Sequence, residues 1–348
     1  LDKDIKQGEA LRIRFVETRD LANISVVGAV LETYDFAASI PMSVQEVLKS
    51  GSVLKNNAKL SFAMIVGRDG PSRAINLADA LQDDDIKVSP GSKLVVFNEN
   101  TYDQLVSANP NQTTDPLVAK ISETKMGEIY LNGSRIAFVP PSTSKSFSDV
   151  MKPFYSFTPQ TILDFSLIQT AENGQTTSTA LSLRDMLMQN EPFKFVAGSK
   201  LFLFERQFYS KLLEPAGSED VNLENSLSSE LSIVGEALND ADVATIFLDG
   251  VAFALLPSQR PQKVNDILDI LGGLPVSISN DLALISFDDG QRETMAITLN
   301  DTTETVIVGD LTVDIFTESG LRSLINEIER GRDDALTGNI KSLANTIF

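Results

Sequence analysis

The chain has 348 residues, carries 29 Lys and Arg against 48 Asp and Glu for a formal charge of −19, and contains no Cys, His or Trp. Those three zeros exclude disulfides, thiol nucleophiles, imidazole bases, Cys/His zinc sites and every Ser-His-Asp or Cys-His arrangement, which leaves carboxylates, Lys, Tyr and hydroxyls for any catalysis. The acidic balance gives no support to nucleic-acid binding, and the longest apolar runs, such as Phe62–Val66 and Ala252–Leu256, fall far short of the about 20 residues that a membrane-spanning helix needs.

A length of this order suits roughly two or three domains, and 42% hydrophobic residues can fill their cores. Leu rather than Met stands first, with no leader pattern behind it, so a processed or excised start is expected. Taken in chain order, a β-rich run closes on Gly28 (Ile24-Ser-Val-Val-Gly28), and a Pro-flanked extended stretch leads to a short helix, Ser43–Leu48. Gly51 breaks that helix, and the strands Phe62–Val66 and Ala74–Leu77 follow as a hairpin. Gly91-Ser-Lys-Leu-Val-Val-Phe97 then forms a turn and a strand, and Leu105 and Val106 mark a short amphipathic helix.

The same order returns twice. The second copy runs from Ile129-Tyr-Leu-Asn-Gly133 through a helix at Ser146–Met151, strands at Leu163–Ile168 and Thr179–Leu183, and Gly198-Ser-Lys-Leu-Phe-Leu-Phe204 to Leu212 and Leu213. The third runs from Ile246-Phe-Leu-Asp-Gly250 through a helix at Lys263–Leu271, strands at Leu282–Phe287 and Thr294–Leu299, and Gly309–Phe316 to Leu324 and Ile325. Gly28, Gly91, Gly133, Gly198, Gly250 and Gly309 are the expected structural turns. Polar links, Ala108–Pro116 and Glu214–Asp220, separate the copies, and Glu318–Phe348 reads as a helical tail broken near Gly331 that docks on protein.

This arrangement predicts an α+β fold of three tandem β-grasp-like modules with a C-terminal helical tail. The expected boundaries are 1–106, 107–213, 214–328 and 329–348, and within residues 1–20 the run Gly8–Phe15 fits the closing strand of a preceding domain. The ordered recurrence of V-x-G, S-V-Q-E-V-L at Ser43–Leu48, I-N-L-A-D-A-L at Ile75–Leu81 and P-G-S-K-L-V-V-F at Pro90–Phe97 resembles the soluble-ligand-binding β-grasp (SLBB) domain. The second copy is degenerate, with Pro153-Phe-Tyr-Ser-Phe157 where a glycine break is expected.

Tandem SLBB domains are typical of bacterial outer-membrane polysaccharide export proteins. The resemblance implies a periplasmic, outer-membrane-associated chain that forms homo-oligomers and guides a polysaccharide, with an inner-membrane polysaccharide co-polymerase as a further partner. It implies no enzymatic activity and no cofactor. The family's export domain and lipidated Cys are missing from this sequence. A second expectation is a soluble protein whose β-grasp modules bind a small ligand or carbohydrate.

Individual motifs add little chemistry. Asp83-Asp-Asp85 and Asp288-Asp289 offer oxygens to a hard cation but lack the spacing of an EF-hand, so solvated turns are expected. Ser142-Thr-Ser-Lys145 spells S-x-x-K without its companion elements, and Gly91-Ser-Lys93 and Gly198-Ser-Lys200 lack the further glycine of a phosphate loop. Tyr34, Phe36, Tyr155 and Phe157 are the candidates for stacking on a sugar, with Phe154 beside them, and packing is the competing role.

Overall fold

The computed structural model describes residues 22–329 except 52, 69–70, 109–119, 122–123, 125, 142–144, 173–174, 190–191, 194, 215–224, 259–261, 264–277, 288–294, 298–305 and 308–310. The fold is α+β. Two compact units divide the chain, Leu1–Thr124 and Lys125–Phe348.

In the first unit, β1 (Ala22–Gly28) and β2 (Tyr34–Ala38) form an antiparallel pair, followed by β3 (Met42–Ser43) and α1 (Val44–Lys49). The strands β4 (Ala58–Val66) and β5 (Arg73–Ile75) form a hairpin, α2 (Leu77–Ala80) and β6 (Lys87–Val88) follow, and β7 (Lys93–Asn98) leads into α3 (Glu99–Ser107). The sheet order is β2-β1-β7-β4-β5. Only β1 and β7, the first and last of these strands, run parallel, and β3 pairs with β6 in a small ladder beside the sheet.

Both faces of this sheet are apolar because strand residues alternate between them. Ile24, Val26, Ala63, Ile65, Leu94 and Val96 pack with Val44, Val47 and Leu48 of α1. The opposite face carries Phe62 and Phe97, whose ring centroids lie 5.4 Å apart, with Tyr102 of α3 at 5.1 Å from Phe62. The entry to α1 is a reciprocal cap: the Glu46 amide donates to Ser43 Oγ at 3.2 Å, and the Ser43 amide donates to Glu46 Oε2 at 2.9 Å. Ser43→Ala should therefore lower the stability of this unit by about 1 kcal/mol, read as a shift in the urea midpoint, because an orphan N–H at the start of the helix loses its acceptor.

The second unit holds two further sheets. β8 (Gly127–Leu131) and β9 (Ser134–Val139) form a hairpin, followed by β10 (Lys145–Ser146) and α4 (Phe147–Met151). β11 (Ser166–Glu172), β12 (Gln175–Leu181), α5 (Leu183–Met188), β13 (Pro192–Phe193), β14 (Lys200–Leu203) and α6 (Arg206–Leu212) complete that set. After α7 (Asn225–Asn239) come β15 (Val243–Leu248), β16 (Val251–Pro257), β17 (Gln262–Lys263), β18 (Ile278–Phe287), β19 (Met295–Ile297), β20 (Val306–Ile307), β21 (Leu311–Thr317) and α8 (Glu318–Glu329).

The sheet orders, β9-β8-β14-β11-β12 and β16-β15-β21-β18-β19, repeat the order of the first unit strand for strand. The first and last strands are again the parallel pair, β8 with β14 and β15 with β21, and the small ladders recur as β10 with β13 and β17 with β20. The segment with the weaker sequence match thus carries the same sheet as the others. The expected helix over 263–271 falls outside the described residues except for Lys263, which lies in β17.

The last two sheets share a core. Helix α7 lays Leu231, Val234, Ala237 and Leu238 over the face of the middle sheet that bears Tyr130, Leu167, Ala180 and Phe202, and Leu255 of β16 joins the same cluster. The Tyr209 hydroxyl accepts from the Leu255 amide at 2.6 Å and donates to the Leu255 carbonyl at 3.2 Å. Burial pushes this phenol above its ordinary pKa of 10, so it keeps its proton.

Candidate functional site

The aromatic residues singled out in the sequence occupy the rims of two helix-side cores, Tyr34 and Phe36 in the first unit and Tyr155 and Phe157 in the second. Tyr34 and Phe36 sit at i and i+2 on edge strand β2, opposite Val26 and Ile24, which directs both rings to the face that α1 covers. Their centroids lie 5.6 Å apart in a stacked arrangement, and both rings are half-buried. A side chain on Gly51, just past α1, would run into the Tyr34 ring, so the glycine break serves as the seat for that ring. Leu31 and Val53 stand exposed nearby in sequence, joined by a backbone hydrogen bond of 2.8 Å from the Leu31 amide to the Val53 carbonyl.

Tyr155 and Phe157 meet edge to face at 5.3 Å in the middle module, and Phe157 continues to Phe147 at 6.4 Å. Phe147 meets Phe193 at 5.0 Å, and Phe193 meets Phe195 at 5.4 Å. The row packs with Val150, Met151 and Leu183, and the Tyr155 hydroxyl hydrogen-bonds Thr161 Oγ1 at 2.8 Å. Phe154 packs on the same core. The four candidates thus combine packing with partial exposure, a geometry in which a ring can serve the core on one side and meet a saccharide on the other.

Gly28, Gly91, Gly133, Gly198 and Gly250 all have positive φ, from +79° to +101°, while Gly309 lies outside the described residues. At Gly91 and Gly198 the chain enters the last strand of its sheet: the Ser25 amide donates to the Ser92 carbonyl at 3.1 Å, and the Glu128 amide donates to the Ser199 carbonyl at 2.8 Å. Gly-Ser-Lys is therefore the start of parallel pairing in both places. Of S-x-x-K, Lys145 lies in β10 and residues 142–144 fall outside the description, while the helix cap is Ser146, which accepts from the Asp149 amide at 3.2 Å. In the aspartate run, Asp83 Oδ1 accepts from the Asp85 amide at 2.9 Å, which closes a turn.

Two clamps escaped the sequence reading. Asn132 and Asp249, both at positive φ, precede Gly133 and Gly250 in two-residue hairpin loops. Asn132 Oδ1 accepts from the Glu205 amide at 2.9 Å, and Asp249 Oδ1 accepts from the Thr317 amide at 2.9 Å. Each ties a hairpin tip to the junction where the last strand enters a helix. The Asn-Gly and Asp-Gly dipeptides were the available signal, since both central positions of such a turn need positive φ.

Charged groups form local pairs. Arg184 holds Asp164 through Nε at 2.7 Å and a second nitrogen at 3.2 Å, and this hydrogen-bonded carboxylate raises the guanidinium pKa further above its ordinary value. Glu128 accepts from the Tyr130 hydroxyl at 2.6 Å and lies 3.4 Å from Arg135. Among the described residues no group of three or more acidic side chains is placed to hold a metal ion.

Asp314, in the central strand of the third sheet, is raised from the ordinary 3.8 by burial. The folded chain then keeps this proton to a higher pH than the unfolded chain, so stability falls as pH rises from about 4 through the folded value. Asp314→Asn should raise the thermal midpoint at pH 7 and leave it unchanged at pH 3, a contrast that calorimetry at both pH values reads directly.

No protein-family model and no curated protein matches the chain.

Proposed function

We propose that the chain is the periplasmic part of a bacterial polysaccharide export protein, built from three SLBB-type β-grasp modules that oligomerise and guide a glycan across the envelope. The observation that carries this reading is the threefold recurrence of one five-stranded sheet with a parallel first and last strand, in the order of motifs that resembles that domain. The buried joint between the second and third modules adds support, because a row of modules that lines a path must hold its spacing. Among the described residues no helix is long and apolar enough to cross a membrane. In this reading the protein works by shape, spacing and contact with a polysaccharide co-polymerase, without covalent chemistry.

Deletion of the gene in its native host tests the proposal. Loss of surface glycan with retained synthesis inside the cell is the expected result, and unchanged export overturns it.

The half-exposed stacked pair Tyr34–Phe36 favours a second reading, a β-grasp protein that binds a soluble carbohydrate. Calorimetric titration with acidic and neutral oligosaccharides should give a saturable site in that case. Tyr34→Ala should weaken it by about 10-fold, the scale of about 1–2 kcal/mol for one lost ring contact. A flat titration sinks the reading.

A further inference from the structure

The two hairpin clamps of the second unit take chemically different partners. Asn132 Oδ1 accepts from the Glu205 amide at 2.9 Å and Asn132 Nδ2 donates to Glu205 Oε2 at 3.1 Å, so both ends of the carboxamide are engaged. At the matching place in the third module, Asp249 accepts from the Thr317 amide at 2.9 Å and from Thr317 Oγ1 at 2.6 Å. Glu205 and Thr317 hold the same position, directly after Phe204 and Phe316. An amide donor therefore faces an acid in one module, and an acid faces a hydroxyl donor in the other.

Asn132 is also followed by Gly133, and a glycine has no side chain to shield its own nitrogen from the preceding carboxamide. We propose that Asn132 is a deamidation site that the fold restrains, and that its conversion to a carboxylate releases the clamp between the β8–β9 hairpin and the start of α6. In the reaction the Gly133 nitrogen, its proton lost to hydroxide, bonds to Asn132 Cγ, the Cγ–Nδ2 bond breaks, ammonia leaves and a cyclic imide closes. Water then opens the imide to aspartate or isoaspartate, so water is the co-reactant and no oxidation or reduction takes place. Three contacts oppose the first step in the folded chain. The carboxamide must leave both Glu205 bonds, the Asn132 amide donates to the Leu203 carbonyl at 2.9 Å, and Gly133 is buried so closely under Glu230 of α7 that even a Cβ there would overlap it. Once the acid has formed, an oxygen stands where Nδ2 stood, and two carboxylates face each other at hydrogen-bond distance. The Asp249–Thr317 pair shows the partner that a carboxylate takes at this position.

Peptide mass mapping of the full chain, held in mildly alkaline buffer beside a synthetic peptide of residues 129–136, reads the reaction at Asn132. The folded chain should deamidate there about 30-fold more slowly than the peptide, the scale of two net hydrogen bonds, and Glu205→Ala, which removes one of them, should cut that protection to about 5-fold. A rate equal to the peptide's, or a rate that Glu205→Ala leaves unchanged, overturns the restraint. The release is read separately by urea denaturation. Asn132→Asp should lower the folding equilibrium constant by about 10-fold, and Asn132→Asp with Glu205→Thr, which copies the pair of the third module, should recover most of that loss. An unchanged midpoint in Asn132→Asp, or a double variant no more stable than Asn132→Asp alone, overturns the release.

Discussion

Gly28→Ala should destabilise the first unit by about 4 kcal/mol or more, whereas the equivalent-looking Gly198→Ala should cost only about 1 kcal/mol. Both glycines have positive φ, +101° and +86°, so both substitutions incur the left-handed strain of about 1–2 kcal/mol. The difference lies in the surroundings. A Cβ at Gly28 would overlap the carbonyl oxygen of Val96, the acceptor of the Ala29 amide at 2.8 Å, so β1 and β7 would have to part at the centre of the sheet. Among the described residues, its chain neighbours aside, no atom lies within 4 Å of a Cβ at Gly198. Urea denaturation of both variants should show a large drop in the midpoint for the first and a small one for the second. Equal drops would mean that the close approach of the central parallel strands is not what requires the glycine.

Tyr209→Phe is the second large effect. Its hydroxyl serves both main-chain groups of Leu255, a residue only 7% exposed on the edge strand β16, and removing it leaves a buried N–H and a buried C=O without their partner. Each orphaned group costs about 1–3 kcal/mol, so a loss of about 2–5 kcal/mol is expected. The ring itself remains to pack on Phe165, whose centroid lies 5.8 Å away, so the loss isolates the polar joint from the apolar one. A thermal scan should show the second unit melting earlier or splitting into two transitions. An unchanged scan would show that the two modules are held by Leu255, Val234 and Phe204 without help from the hydroxyl.

The order of elements was legible in the sequence because turn glycines and strand patterns recur in phase. The helix at Ser43–Leu48 was legible from the polar residue at its start, and the reciprocal bond to Glu46 was not. The hairpin strands were placed to within a few residues, but Ala74–Leu77 and Thr179–Leu183 were read past their ends. There Asn76 and Ser182 turn the chain into α2 and α5 by accepting from the Asp79 and Asp185 amides, a local bond that outweighs the β-pattern.

Pairing was not legible. That β1 lies beside β7 depends on residues nearly seventy positions apart meeting across a core, which no local pattern encodes. Helix α7 was missed because Ser-rich sequence and Gly235 weaken its propensity, and its formation rests on burying Val234 and Ala237 against another module. The aromatic candidates were legible as residues but not as a site, since Tyr34 and Phe36 owe their stacking to neighbouring positions on an edge strand and to the seat at Gly51.

The central claim, one module three times over, is open to a direct measurement in solution. Nuclear Overhauser contacts across the parallel strand pairs should appear between Val26 and Leu94, between Ile129 and Leu201, and between Ile246 and Val313, each in the same register within its sheet. Three such sets are the predicted result. A set missing from any one sheet, or first and last strands found beside other neighbours, would contradict the account.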